Sequence, residues 1–494
     1  MPALDDEKTI TEQPLRRKIS DICVDNVITT LPMDKISDVA KKMTQYKVSS
    51  VVVKAINEKP VGIITEQDMV RKILSQDKPD LDLRAHQVMS DNLITVRPDD
   101  FTYQALLMMV KHNISHVVVT SENDVLLGIL TIRDLIKNRN SGALSIVRQI
   151  EKKNSFSELA QVINEVDQVQ QALISERAYA SEICALITEL YDRITRRVIE
   201  IAENHLLEEG WGEPPVKYCF ISMGSAGRKE QFLRTDQDNG IIFEDCPGVK
   251  AEPAASYFMA LGKRIISGLE ECGFKRCPGE VMADNPRWCL PLSKWKNNIK
   301  RWVDTLDGKD IRNMTIFLDY RFVSGEENLC RELKFFTSKL FHEAKYALLF
   351  MAEDDLNHRV PMNMFGQIIT SKKNGKRNII NLKSAVMVHM VDCIRLFALR
   401  EGILETNTFE RIRRLKDLNT FKPDDAEALE TAYEALLMFR IKNGIEYLKK
   451  CAVPENTIAI DRMGKRDTAR LKKALITVNH LQTLTAHTFH VHKA

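Results

Sequence analysis

Three patterns of hydrophobic and polar positions divide the chain. Up to about residue 140, short apolar runs alternate with stretches of helical spacing, which is typical of small α/β units. Over 145–210, apolar residues recur every three or four positions and predict amphipathic helices. Apolar runs at 216–223 and 240–243 then predict strands, and helical spacing returns after Lys339. The pattern therefore predicts a multidomain α+β protein.

The first part of the chain contains an internal repeat. Two copies align without a gap when the sequence is displaced by 66 residues. The positions that share the same residue in both copies include Asp25 and Asp91, Pro32 and Pro98, Val51–Val53 and Val117–Val119, Gly62 and Gly128, Thr65 and Thr131, and Asp68 and Asp134. So many identities in one register indicate a duplicated module in which each copy predicts a helix, a strand, a turn, a second strand and a helix.

Each copy carries a threonine and an aspartate at the junction between its second strand and the next helix. Thr65 and Thr131 end the predicted strands, and Asp68 and Asp134 lie in the first turn of the helices that follow. A hydroxyl and a carboxylate in these places can bond a ribose, while a helix N-terminus favours phosphate. The same residue types commonly cap helices. Spacing leaves both roles open.

The segments VGIITEQDMVRKIL and LGILTIRDLIKN around these residues resemble the signature of CBS (cystathionine-β-synthase) domains. The resemblance implies an N-terminal tail over 1–18, a first CBS domain over 19–78 and a second over 82–140. It also implies an adenosine nucleotide, AMP or ATP, in the cleft of the pair, contacted by Thr65, Asp68, Thr131 and Asp134. CBS pairs often dock face to face, so we expect a homodimer.

The helical segment over 141–210 forms a connector. An αα-hairpin packed on a neighbouring domain is one interpretation, and a dimerisation or signalling helix is the other. Packing is the favoured interpretation, although the connector must carry any coupling between the two ends of the chain.

The segment VKYCFISMGSAGRKEQFLRTDQDNGIIFED places several groups of one chemistry between two predicted strands. Asp236 and Asp238 alternate along an extended chain and therefore share a face, where two close carboxylates favour Mg²⁺ or Mn²⁺. Gly224 lets the backbone approach a phosphate, and Ser225 and Arg228 can bind its oxygens. A Gly-Ser turn or a lone Asp-x-Asp is common, but their order between strands favours metal–nucleotide chemistry.

This segment resembles the nucleotidyltransferase signature of the DNA polymerase β superfamily, and more closely its PII uridylyltransferase-like branch. The resemblance implies an α/β nucleotidyltransferase domain over 211–335 and an α-helical substrate-binding domain over 336–494. It further implies a third metal-binding carboxylate, for which Asp319 in a predicted strand over 314–320 is the candidate, and an NTP substrate. Lys383 and Arg395 are expected to face the active cleft.

Composition narrows the choice of partners and compartment. The chain has 71 Lys and Arg against 68 Asp and Glu, and this balance argues against nucleic acid as a partner. No run of 18 uncharged apolar residues occurs, which argues against a membrane span. Ten scattered cysteines are typical of reduced thiols, and acidic residues near the N-terminus do not fit a signal peptide. We expect a cytoplasmic protein.

Taken with the resemblances, the residues predict a metal-dependent nucleotidyltransferase regulated by adenine nucleotides. It would transfer NMP from an NTP to an acceptor hydroxyl, on a protein by analogy with PII modification, in signal transduction. The alternative is a nucleotide-sensing regulatory protein that binds nucleotide without turnover and acts through partners.

Overall fold

The computed structural model describes residues 17–491, except for 77, 79, 81, 138–141, 247, 249, 250, 364, 365, 374, 375 and 450–455. Most of the predicted N-terminal tail, residues 1–16, lies outside the described residues. The chain divides into two units. The first comprises Met1–Gln149 and Ser175–Ala178, and the second comprises Ile150–Ile174 and Tyr179–Ala494.

In the first unit, each sequence repeat forms its own three-stranded sheet. The strands are Thr29–Thr30, Ser50–Lys54 and Pro60–Thr65 in one copy, and Thr95–Val96, His116–Thr120 and Leu126–Thr131 in the other. In both sheets the short first strand is parallel to the second, which pairs antiparallel with the third. The helices are Ile19–Asp21 (3₁₀), Ile36–Tyr46, Glu66–Met69 with its π-helical continuation Val70–Leu74, Ala85–Val88, Thr102–His112, Ile132–Lys137 and Gly142–Lys152. The duplicated module is confirmed.

The valine triplet of each copy shows how this unit is packed. Successive side chains of a strand point to opposite faces of the sheet. Val51 and Val53 therefore pack against the helix Ile36–Tyr46, whereas Val52 contacts Val118 of the other copy. The continuous apolar run in the sequence thus serves two cores at once, one inside each copy and one between the copies.

The second unit is built around a four-stranded sheet. Its strands lie in the order Arg321–Gly325, Tyr218–Ser222, Asn239–Phe243 and Cys289–Pro291, with the last pair parallel and the others antiparallel. Both central strands are buried along their whole length, which explains why they appear in the sequence as unbroken apolar runs. The helices of this region are Phe156–Ser175, Ala180–Glu208, Gly224–Gly227, Ala251–Glu271, Leu292–Thr305, Gly308–Phe317 and Glu327–Glu343.

Of the helices in the predicted connector, Gly142–Lys152 lies mainly in the first unit, whereas Phe156–Ser175 and Ala180–Glu208 lie mainly in the second. Helix Ala180–Glu208 lies against helices Ala251–Glu271 and Pro423–Lys449. Glu434 of the latter accepts hydrogen bonds from the backbone N–H groups of Ala180 and Ser181, which are otherwise unsatisfied at a helix N-terminus. These contacts favour the packing interpretation of the connector.

The C-terminal region is helical, as expected, but also contains a small sheet. The helices are Lys345–Leu356, Lys383–Met387 (π), Val388–Arg400, Thr408–Asp417, Pro423–Lys449, Ile460–Arg462 (3₁₀) and Lys465–Thr488. Strands Ser371–Lys373, Lys376–Asn381 and Thr457–Ala459 form an antiparallel sheet that the sequence did not predict, because such short, charged strands carry little apolar pattern. Within the parts of the chain that the structure describes, no helix combines the length and the apolar character needed to cross a membrane.

The strand predicted over 314–320 is wrong. Helix Gly308–Phe317 occupies most of it, since Ile311, Met314 and Phe317 are spaced by three and bury one helical face. Asp319 follows in the turn before strand Arg321–Gly325 and is fully buried.

Asp319 joins the four-stranded sheet to the C-terminal helices. Arg228 donates from Nη1 to Oδ2 (2.6 Å), Arg411 from Nη1 to Oδ1 (2.8 Å), and Arg395 from Nε to Oδ1 (2.9 Å) and from Nη2 to Oδ2 (2.6 Å). Burial alone would raise the pKa of Asp319, but the three guanidinium charges outweigh it and hold this pKa well below the usual carboxyl range. Both of its carboxylate oxygens are bonded to arginines, an arrangement that favours a structural anion over the metal ligand expected from the resemblance.

A second shared carboxylate extends this contact. Glu230 accepts hydrogen bonds from Arg228 Nε (2.7 Å), from the Tyr433 hydroxyl (2.6 Å) and from the backbone N–H of Thr408 (2.8 Å). Asp392 accepts a hydrogen bond from Arg395 Nη1 (2.5 Å). Three arginines and three carboxylates therefore balance their charges at the junction of the two regions.

We predict that Asp319→Asn lowers the free energy of unfolding by about 3–5 kcal/mol, because it leaves three buried guanidinium groups without their shared anion. Chemical denaturation of the full chain measures the change. Asp417→Asn is the control, since Asp417 is an exposed aspartate of the same region and its replacement should change stability by less than about 0.5 kcal/mol. Equal effects of the two substitutions would contradict a structural role for Asp319.

We also predict that Asp319 makes the protein acid-sensitive. Its pKa is lower in the folded chain than in the unfolded chain, so its stabilising effect is complete above about pH 4 and is lost as the pH falls further. Between about pH 4 and pH 3, the unfolding free energy of the wild type should fall more steeply than that of Asp319→Asn, by up to about 1.4 kcal/mol per pH unit. If the unfolding free energies of the wild type and of Asp319→Asn changed equally with pH, Asp319 would not be ion-paired in the folded chain.

Candidate functional site

A cavity of about 310 Å³ lies where the four-stranded sheet meets the C-terminal helices. It brings together seven of the eight residues that the sequence predicted for the transferase half, namely Gly224, Ser225, Arg228, Asp236, Asp238, Lys383 and Arg395. Asp319, the eighth, does not line this cavity and lies behind Arg228 and Arg395 as described above. The predicted residues therefore meet in space although they span more than 170 positions of the sequence.

The Gly-Ser turn lies against Asp238, one of the two predicted metal-binding acids. Gly224 follows strand Tyr218–Ser222 with a φ of +57°, a left-handed conformation that favours glycine. A Cβ atom at Gly224 would lie 2.7 Å from Oδ2 of Asp238, so a larger residue would displace that carboxylate. The backbone N–H of Met223 also donates to the Asp238 carbonyl oxygen (2.8 Å). Glycine is thus required here by both conformation and space.

Asp236 and Asp238 precede strand Asn239–Phe243 and both face the cavity. The residues that alternate with them, Gln237 and Asn239, are buried on the other side. The Gln237 N–H donates to the Lys275 carbonyl oxygen (2.9 Å). The side chain of Asn239 accepts from the backbone N–H of Ala283 (2.9 Å). These buried bonds fix the extended backbone and hold both carboxylates on one face.

The two carboxylates are the candidate metal ligands of the cavity. Burial raises the pKa of Asp238 to about 6, and the charge of Asp236 adds to this, whereas a hydrogen bond from the Cys277 thiol and the charge of Lys383 oppose it. No cluster of three His, Cys, Asp or Glu side chains suited to a metal occurs among the described residues. Mg²⁺ usually takes one or two protein carboxylates and completes its shell with water and substrate phosphates, so this pair fits such an ion.

The cations of the cavity fall into two classes. The charges of Arg228 and Arg395 are neutralised by Asp319, Glu230 and Asp392. Lys383 and Arg440 have no ion-pair partner among the residues that the structure describes.

Arg440 was not predicted from the sequence. Its surroundings there, FRIKNGIEYLKK, follow an ordinary amphipathic helical pattern with basic residues on the polar side. Only the packing of helix Pro423–Lys449 shows that Arg440 lines the cavity, together with Tyr433 and Leu437.

The first unit contains a separate cavity of about 390 Å³. Thr65 and Asp68 line it, together with residues 113–116 of the other copy. The Thr65 N–H and hydroxyl donate to Oδ2 of Asp68 (3.0 and 2.7 Å), and Thr65 Oγ1 accepts from the Asp68 N–H (3.2 Å). These residues therefore cap their helix, and they also face a cavity.

The equivalent pair in the other copy makes the same local bonds. The Thr131 N–H and hydroxyl donate to Oδ2 of Asp134 (2.9 and 2.6 Å). Neither residue lines the cavity that contains Thr65 and Asp68. Capping is common to both copies, so position relative to the cavity is what distinguishes them.

Models of known protein families match three parts of the chain. The CBS domain model matches residues 19–75 and 85–141. The model described as "Putative nucleotidyltransferase DUF294" matches residues 164–309, and the model described as "Putative nucleotidyltransferase substrate binding domain" matches residues 345–489. These three models agree with the architecture expected from the sequence.

Individual relatives are similar to about a quarter of the chain. An uncharacterised protein of Methanopyrus kandleri is 33% identical over 24% of this chain and 61% of its own length, and one of Acidianus ambivalens is 31% identical over 24% and 71%. A solved CBS domain protein of Pyrobaculum aerophilum in complex with AMP is 31% identical over 24% of this chain and 89% of its own, with a TM-score of 0.23. The chain thus spans about 61% of the first of these relatives. From the three family models together, the chain belongs to the CBS-pair proteins that carry a DUF294 nucleotidyltransferase-type domain followed by its substrate-binding domain.

Proposed function

We propose that the chain is a metal-dependent nucleotidyltransferase that responds to an adenine nucleotide bound by its CBS pair. The observation that carries the proposal is the cavity in which the glycine turn at Gly224 touches the carboxylate of Asp238 beside Asp236. A phosphate that approaches the turn would lie next to both acids. This arrangement suits metal-assisted transfer of a nucleotidyl group.

Each wall of the cavity would have its own task. Asp236 and Asp238 would hold Mg²⁺ or Mn²⁺, which neutralises phosphate charge and favours ionisation of an attacking hydroxyl when it is bound. Gly224 and Ser225 would bring backbone and hydroxyl groups to the phosphates. The apolar residues of the C-terminal helices that line the cavity, Met387, Val388, Val391 and Leu437, would contact the nucleoside.

The reaction we propose joins an acceptor hydroxyl to the α-phosphorus of an NTP. The bond between the α-phosphorus and the bridging oxygen breaks, pyrophosphate leaves, and the hydroxyl proton passes to solvent. A protein hydroxyl is the acceptor we propose, from the resemblance to PII uridylyltransferases, which would place the chain in signal transduction.

The regulatory half of the proposal concerns the cavity of the CBS pair. Asp68 already binds Thr65 through Oδ2, but its Oδ1 faces Lys72 (3.3 Å) and Ser90 (3.4 Å) and can accept a ribose hydroxyl. Ser49 and His116, which lie 3.0 Å apart between Oγ and Nε2, add polar groups from both copies. A ligand there would contact both copies and could bias their arrangement.

A second candidate function is favoured by Asp319. The polymerase β resemblance implies three carboxylates, and Asp319 is bonded to three arginines instead. With only two acids, the cavity would bind a metal–nucleotide complex but would lack the third carboxylate that is expected to activate the acceptor hydroxyl. In this alternative the chain is a nucleotide sensor that acts through partner proteins.

We predict that Asp236→Asn and Asp238→Asn each lower nucleotidyl transfer by several orders of magnitude, because each removes a metal-binding carboxylate. The measurement offers the full chain each of the four α-labelled NTPs with Mg²⁺ or Mn²⁺ and cell lysate. Asp245→Asn is the control, since Asp245 follows the same strand but bonds Ser293 outside the cavity.

Two outcomes would count against catalysis at this site. Transfer that persists in both acid variants would place the chemistry elsewhere. No transfer by the wild type with any NTP, although Mn²⁺ and nucleotide bind and the acid variants abolish that binding, would support the sensor.

We predict that Asp68→Asn weakens AMP or ATP binding to the CBS pair by about tenfold to hundredfold, the effect of losing a charged hydrogen-bond acceptor. Equilibrium binding and the rise in Tm with added nucleotide both measure it. Asp134→Asn is the matched control, because it loses the same helix cap but lies outside the cavity that contains Asp68. Binding that is lost in Asp134→Asn and kept in Asp68→Asn would place the nucleotide in a different cleft.

A further inference from the structure

Two cations in the transferase cavity stand apart from the ion-pair network around Asp319. Lys383 begins the helical segment Lys383–Met387, and Arg440 lies on helix Pro423–Lys449. Both line the cavity that contains Asp236 and Asp238. Neither has an ion-pair partner within the described part of the chain, whereas Arg228, Arg395 and the deeper Arg411 are all bonded to carboxylates.

Neighbouring groups hold the Arg440 side chain in place but do not use all of its hydrogen-bond donors. Its Nη2 donates to Oδ1 of Asn456 (3.0 Å), and its guanidinium lies over the ring of Phe232, 5.1 Å from the centroid. Its Nη1 faces the sulfur of Met387 at 4.0 Å, and its Nε is buried without a partner among the described residues. The side chain is therefore oriented by neutral groups, and its Nε donor is left without a hydrogen-bond partner within the described residues.

Lys383 is in a similar electrostatic position. Burial lowers its pKa, and the charge of Arg440 lowers it further, while Asp236 and Asp238 act in the opposite direction. Asp236 and Asp238 face the same cavity, but neither forms an ion pair with Lys383 or Arg440. Two cations that repel each other and lack a direct ion pair favour the binding of an anion between them.

We propose that Lys383 and Arg440 bind the β- and γ-phosphates of the nucleotide, so that the cavity selects nucleoside triphosphates over monophosphates. This rests on the proposed function and deepens it. A metal ion at Asp236 and Asp238 and these two cations would neutralise the polyphosphate from two sides. Arg228 and Arg395, which the sequence suggested for phosphate and substrate contacts, remain engaged with Asp319 and shape the cavity wall.

The test measures binding of inorganic tripolyphosphate and orthophosphate to the full chain by calorimetry, with Mg²⁺ present and the CBS pair saturated with AMP. The variants are Lys383→Met, Arg440→Gln and the conservative Arg440→Lys. Lys442→Met is the control, because Lys442 lies two positions along the same helix, is exposed and lines a different cavity.

We expect Lys383→Met and Arg440→Gln each to weaken tripolyphosphate binding by about tenfold to hundredfold, the usual effect of losing a charged hydrogen bond. Arg440→Lys should recover part of the loss, and Lys442→Met should match the wild type. Orthophosphate should bind weakly to all of them. Unchanged tripolyphosphate affinity in both Lys383→Met and Arg440→Gln, or an equal loss in Lys442→Met, would overturn the proposal.

Stability of the ligand-free variants supplies an independent readout. Lys383→Met should unfold at about the same denaturant concentration as the wild type, because Lys383 is exposed and forms no ion pair within the described part of the chain. Arg395→Gln should unfold at a lower concentration, because it breaks the bonds to Asp319 and Asp392. Loss of stability in Lys383→Met without loss of tripolyphosphate affinity would assign Lys383 a structural role and overturn the proposal.

The result is separable from that of the transfer assay, since tripolyphosphate binding involves no turnover. Suppose that the wild type transfers no nucleotide but binds tripolyphosphate, and that Lys383→Met and Arg440→Gln lose this binding. The phosphate site would then be retained and the transferase rejected. Transfer that is unaffected by Lys383→Met and Arg440→Gln would retain the transferase and reject the phosphate site.

Discussion

The carboxylate of Asp319 is the interaction on which the second unit depends. A single fully buried anion accepts hydrogen bonds from arginines that belong to the glycine turn and to two C-terminal helices. A buried charge is tolerated only when it is paired and hydrogen-bonded, so these elements must come together for any of them to be stable there. The cavity is formed by the same elements, and its shape therefore depends on an interaction that lies behind its wall.

This division of charges gives the cavity its chemical character. Because Asp319 and its neighbouring carboxylates neutralise Arg228 and Arg395, the charged groups of the cavity that form no direct ion pair within the described residues are the acids Asp236 and Asp238 and the cations Lys383 and Arg440. Acids that face a solvent-accessible cavity favour a divalent ion, and unpaired cations favour an anion. A metal–polyphosphate complex supplies both, which links the local charge pattern to nucleotide chemistry.

The sequence predicted those features whose causes are local. The repeat, the buried strands and the Gly-Ser and Asp-x-Asp segments lie within short stretches, and the structure contains the corresponding elements. Prediction from the sequence failed where a residue's bonding partners are distant along the chain. Asp319 is bonded to Arg395 and Arg411, which are 76 and 92 positions away, and nothing near Asp319 in the sequence indicates these partners. Arg440 was missed for the related reason that only tertiary packing distinguishes it from other basic residues of its helix. The short charged strands around 371–381 were not predicted, because hydrogen-bonded pairing with other strands defines them rather than an apolar pattern.

The most direct test is a crystal structure of the full chain with Mn²⁺ and a non-hydrolysable NTP, in which anomalous scattering locates the metal. Our account predicts Mn²⁺ in direct contact with Asp236 and Asp238, the terminal phosphates at Lys383 and Arg440, and Asp319 still bonded to its three arginines. A metal bound to Asp319, or a nucleotide that avoids this cavity, would contradict the account.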